Sequence, residues 1–184
     1  RRMGMKKLTK VCALFFALAL SLSACSGGGN QAAAPAKDSP GTAKDGNELT
    51  IEQASMQLVK AVDEGKYKLV STEDLKAWID KKEDMIIVDT MPAKSYDKNR
   101  IPGAVNAELP VKLDETTPEQ KDAFIKALGT DKNKKVVLYC GFVKCERSHV
   151  GALIAKEAGF TNVYRQSGGI IAWIDAGYET EGSK

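Results

Sequence analysis

Two thiols five residues apart, Cys140 and Cys145, stand in the segment Cys140-Gly-Phe-Val-Lys-Cys145-Glu-Arg147-Ser148. The segment follows the apolar run Lys135-Val-Val-Leu-Tyr139 and precedes a stretch with helical spacing. A cysteine where a buried strand ends and a helix begins can gather backbone N–H groups and the positive end of the helix dipole. Those surroundings favour a thiolate and hold an anion beside it. Cys140 therefore reads as the nucleophile. Gly141, Phe142, Val143, Lys144, Cys145, Glu146 and Arg147 read as the loop that binds an anionic substrate. An ionised thiol needs no general base, so His149, the one histidine of the chain, reads as a bystander on a helix surface.

Cys145 has three readings. It is a redox partner that closes a disulfide with Cys140, the nucleophile itself because it lies nearer Lys144 and Arg147, or an inert residue. Cys140, Cys145 and His149 fall one ligand short of a structural zinc site, so neither a metal nor a cofactor is expected. Asp89 ends a strand beside the presumed site and reads chiefly as a hydrogen-bond acceptor for a loop. Trp173 reads as core, and Phe142 as core or pocket wall.

Elements must bring these residues together. Thr50 and Gln53 form a capping-box pair ahead of the stripe Ile51, Ala54, Leu58 and Val62, which predicts a helix ending near Gly65. Strands are expected over 67–70, 85–89, 104–107, 135–139 and 162–165. Helices are expected after Ser71 with Asp74, after Thr117-Pro118 up to Gly129, over 148–158 and over 170–176. The run Met85-Ile-Ile-Val-Asp89 is apolar throughout, as a strand covered on both faces should be. Strands alternating with helices at this spacing predict an α/β fold, a mostly parallel sheet with helices on both faces. Gly168-Gly169 reads as a backbone turn rather than a phosphate loop.

The start of the chain reads as an export signal over residues 1–24: a basic segment from Met5 to Lys10, the apolar run 11–22, then Ser23-Ala24-Cys25. Its apolar run is shorter than the roughly 20 residues that a membrane-crossing helix needs. Leu22-Ser-Ala-Cys25 resembles the lipobox of bacterial lipoproteins, which implies lipid on Cys25 and a membrane partner reached through that lipid. Residues 25–48 read as a tether rich in Gly, Ala, Ser and Pro, 49–66 as a helix packing on the domain, and 67–184 as the domain. The expected location is the extracellular or periplasmic face of the cell membrane. Of 27 basic residues, five fall in the first 24 positions, which hold no acidic residue; the remaining 22 face 24 acidic ones. A slightly acidic mature chain gives no ground for nucleic-acid binding.

Ile87-Val-Asp89, Tyr96, Ile101-Pro-Gly-Ala104, Val137-Leu-Tyr-Cys140, Arg147-Ser148 and Gly168-Gly-Ile-Ile-Ala-Trp173 together resemble the rhodanese-like domain over about residues 67–179. The resemblance implies a five-stranded parallel sheet and a sulfurtransferase in which Cys140 takes a sulfane sulfur as a persulfide and passes it to a thiophilic acceptor. It implies thiosulfate, a related small sulfur-containing anion or a persulfide as donor. Arg147 lies seven residues after Cys140, two more than is usual in active members of the family, and the added length includes Cys145. The altered loop keeps two other readings in view: a non-catalytic rhodanese-like binding module, and a dithiol redox protein using Cys140 and Cys145. A phosphatase is the least favoured reading.

Overall fold

The computed structural model describes residues 47–183. The signal segment 1–24, the Cys25 lipidation site and the tether up to residue 46 lie outside the described residues. The two continuous apolar runs form the middle of a sheet, β2 (Met85–Asp89) and β4 (Lys135–Tyr139). Around them stand β1 (Lys68–Val70), β3 (Val105–Asn106) and β5 (Val163–Gln166). The order is β1-β5-β4-β2-β3, and every pairing is parallel. An all-parallel sheet needs crossovers on both faces, and the helices supply them.

One face is covered by α1 (Glu48–Gly65), α4 (Pro118–Leu128) and α5 (Arg147–Glu157). Its core joins Val88, Val136, Leu138 and Val163 from the strands to Phe124, Leu128, Val150 and Ile154 from the helices. The other face carries α2 (Thr72–Asp80), α3 (Ala93–Lys98) and α6 (Gly169–Asp175). There Ile87, Val137 and Tyr139 meet Leu75, Ile101 and Trp173. Alternate residues of β4 thus enter opposite cores, as the two-residue strand period requires.

Local chemistry sets the helix ends. The Ser71 side chain accepts from the Asp74 N–H, and Thr117 and Gln120 form a reciprocal capping box with Pro118 at the first helical position. At α1 the sequence expectation fails by one turn. The helix already includes Glu48, with the Ile51 N–H donating to the Asn47 carbonyl, so Thr50 lies inside the first turn instead of capping it. Helix α3 is also unanticipated. It has six residues, too few to show an apolar stripe, and follows Pro92, whose fixed φ suits a helix start. Its Tyr96 hydroxyl donates to the Ala104 carbonyl, and the Ile101 N–H donates to the Tyr139 hydroxyl. The Ile101-Pro-Gly-Ala104 block is therefore fastened across the end of the sheet.

Candidate active site

Strand β4 is the central strand, and Cys140 follows its last residue, at the edge where parallel sheets place their binding crevices. Six loop residues then separate it from α5. The loop folds back through a turn in which the Cys145 N–H donates to the Phe142 carbonyl at 2.9 Å. That turn brings Cys145 beside Cys140, whose S–H donates to the Cys145 carbonyl. Both are free thiols.

The sulfurs differ sharply. Cys140 is 1% exposed; its S–H donates to the Cys145 carbonyl at 3.0 Å, and its Sγ lies 3.2 Å from Ser148 Oγ. Burial pushes the Cys140 thiol well above the ordinary range, and the neighbouring Cys145 pushes it further. Cys145 is 8% exposed. The Cys140 thiol, the backbone N–H groups of Gly141 and Arg147 and the Arg147 charge hold Cys145 down at about 6, against burial. The expectation of an accessible Cys140 is corrected by its burial, while the Ser148 hydroxyl and N–H act in the other direction and lower its pKa. The longer loop inserts Cys145 between strand end and helix N-terminus, and Cys140 packs beneath it against the Cys145 carbonyl and Ser148.

The other loop residues divide by task. Phe142, Val143 and Lys144 line a cleft of about 380 Å³ with Thr50, Ile51, Ala54 and Ser55 of α1, and Phe142 is 53% exposed. Phe142 is a wall, then, and Trp173 is core at 1% exposure. Glu146 turns away from the sulfurs and accepts from Gln57 of α1 at 2.5 Å. The Arg147 guanidinium donates to the Leu109 carbonyl. Asp89 accepts from the Met91 N–H at 2.9 Å, the loop role expected for it, while burial lifts its carboxyl to about 6.

Sequence reasoning missed the residue beneath the loop. Arg165 of β5 is fully buried, and no carboxylate pairs with it among the described residues. Its Nε donates to Ser148 Oγ at 2.8 Å, its Nη2 to the Cys145 carbonyl at 2.9 Å and its Nη1 to the Tyr67 hydroxyl at 3.3 Å. It thereby fixes the Ser148 hydroxyl and the Cys145 carbonyl, the two groups that Cys140 Sγ contacts. The only signal in the sequence is an arginine two residues after Val163 in a short strand, on the side that period two assigns to a core. His149 is also not on the surface. It is 9% exposed with Nδ1 3.0 Å from the Tyr67 hydroxyl, and burial lowers its pKa.

Comparison with known proteins decides the family. The rhodanese-like domain matches residues 71–176, more than half of the chain. This protein belongs to the rhodanese-like family. The resemblance read from the sequence blocks is borne out, and so is the five-stranded parallel sheet. A tRNA uridine(34) hydroxylase of Acinetobacter baylyi is 31% identical to this rhodanese-like chain over 105 residues, which are 55% of this chain and 31% of the relative. The enzyme of that name from Burkholderia cenocepacia is 32% identical over 119 residues, 60% of this chain and 38% of the relative. The chain thus spans about a third of the length of these curated relatives. Among solved structures, thiosulfate sulfurtransferase from Pseudomonas aeruginosa matches with a TM-score of 0.54 at 22% identity, over 72% of this chain and 23% of that one. The polysulfide-sulfur transferase homodimer from Wolinella succinogenes matches with 0.53 at 17%, over 76% and 95%. At these identities the likeness is one of fold.

Proposed function

We propose that this domain moves a sulfane sulfur from a small anionic donor such as thiosulfate to a thiophilic acceptor through a persulfide on Cys145. The observation that carries the reading is the position of Cys145, the more exposed of the two thiols at 8% against 1%, two residues before the start of α5 and beside the Arg147 charge that helps hold its thiol down at about 6. The Cys145 thiolate attacks the outer sulfur of thiosulfate. The donor S–S bond breaks, sulfite leaves with the bonding pair, and Cys145 carries the sulfur as an anionic persulfide. Loop amides and Arg147 then hold that charge, the stabilisation such a step requires. An acceptor such as cyanide attacks the terminal sulfur and returns Cys145 to the thiolate. The first attack therefore moves to Cys145 from Cys140, the candidate of the sequence.

Export and a lipid anchor on Cys25 complete the reading and rest on the sequence alone. Among the described residues no helix is long and apolar enough to cross a membrane. The test is thiocyanate formation from thiosulfate and cyanide. Cys145→Ser should abolish it; a Cys145→Ser variant as fast as the wild type would overturn the assignment.

A further inference from the structure

The second thiol carries no sulfur in that transfer, yet it lies buried beside the first. Cys145 keeps the more exposed side of the pair, and Cys140 lies behind it at 1% exposure. A persulfide on Cys145, the more exposed thiol, has the open side of the loop to extend into, with Cys140 on the buried side against the Cys145 carbonyl. Attack from that side displaces the terminal sulfur away from the attacking atom, the geometry that thiol–disulfide exchange uses. Because both thiols sit on one turn, the step is intramolecular and needs no encounter.

The buried network suits that attack. Arg165 Nε donates to Ser148 Oγ, which leaves the hydroxyl hydrogen of Ser148 free to point at Cys140 Sγ, 3.2 Å away. The Cys140 S–H points at the Cys145 carbonyl, which Arg165 Nη2 also bonds. When the S–H proton leaves, Ser148 and the guanidinium behind it remain to hold the charge on Cys140.

We propose that Cys140 resolves the Cys145 persulfide, so that this domain reduces sulfane sulfur to sulfide and closes a Cys140–Cys145 disulfide. The inference rests on the persulfide proposed above. The Cys140 sulfur bonds to Cys145 Sγ as the Cys145–sulfur bond breaks, and the terminal sulfur leaves with that pair. It takes the Cys140 proton and departs as hydrosulfide. The sulfane sulfur gains two electrons and the two cysteines lose one each. An external dithiol reopens the disulfide and permits a further turnover.

The experiment is a single turnover without free thiol. Fully reduced protein is mixed with thiosulfate, and released sulfide and intact mass are followed together. The wild type should release up to one sulfide per chain and end lighter by two hydrogens, with peptide mapping joining Cys140 to Cys145; dithiothreitol should restore release. Cys140→Ser and Cys140→Ala should stop at a chain heavier by one sulfur, with sulfide release lowered at least about tenfold. A wild type that keeps the extra sulfur and releases no sulfide overturns the proposal without touching sulfur transfer. So do Cys140 variants that release sulfide at the wild-type rate. If no variant and no wild-type protein gains sulfur or loses hydrogen, persulfide formation itself fails and both readings fall.

Discussion

The charge on Cys145 is created mainly by its neighbours, the Cys140 thiol first and the Gly141 and Arg147 amides after it. The reactivity of Cys145 should therefore follow a titration near pH 6, far below the ordinary thiol value of 9.0. Rates of iodoacetamide alkylation against pH, mapped to the Cys145 peptide, measure it. Cys140→Ala removes the largest stabiliser of the thiolate, so its midpoint should move to higher pH while the plateau rate is kept. An unmoved midpoint would assign the depression to the amides alone. At this scale His149 is a spacer. With its pKa lowered by burial it is neutral near pH 7, and its ring nitrogen fixes the Tyr67 hydroxyl that Arg165 also contacts.

Between elements, the loop is held by the start of α6. The Ile170 and Ile171 N–H groups donate to the Cys140 and Gly141 carbonyls at 2.9 and 3.1 Å. So close an approach leaves no room at Gly169, which has φ +66° and whose added Cβ would stand 2.4 Å from the Gly141 carbonyl carbon. Gly169→Ala should cost at least ~2 kcal/mol, from left-handed backbone strain plus the displaced loop, read as a lower urea midpoint. The end of β2 gives a second prediction. Burial raises the Asp89 carboxyl from an ordinary 3.8 to about 6, so the fold favours its protonated form. That stability is fully present below about pH 4 and is lost as pH rises through about 6. Two pH units correspond to roughly 3 kcal/mol. Asp89→Asn keeps an acceptor for the Met91 N–H and should remove this loss, measured as the difference between wild-type and variant unfolding free energies across that window.

For the molecule as a whole, the sheet separates two cores that report independently. Both tryptophans, Trp78 and Trp173, belong to the face of α2, α3 and α6, whereas α1 and the cysteine loop belong to the other. Helix α1 reaches the site through the Gln57–Glu146 hydrogen bond and the cleft it shares with Phe142. Ala61, 5% exposed, lies on its buried side. Ala61→Arg should force α1 off the domain by local rather than global unfolding. Trypsin would then cut at Lys60 and Lys66 well before the rest of the chain, with tryptophan near-ultraviolet dichroism unchanged. Loss of the tryptophan signal together with α1 would show the two cores to be one cooperative unit.

The chain by itself determined its architecture. The runs at 85–89 and 135–139 are apolar at every central position, and the helix caps at Ser71 and Thr117 are written in side-chain chemistry, so strands, helices and a mostly parallel sheet were legible. Short pieces such as α3 were not, because six residues carry too little period. The site was legible as a segment but not as an arrangement. Which of two cysteines meets the helix amides depends on how a six-residue loop folds back, and no local preference fixes that. Arg165 is 20 residues from Cys145 in the chain yet 2.9 Å from its carbonyl. Only the pairing of β5 with β4 brings the two together, since a cation buried beneath a loop owes its place to strands far apart in sequence.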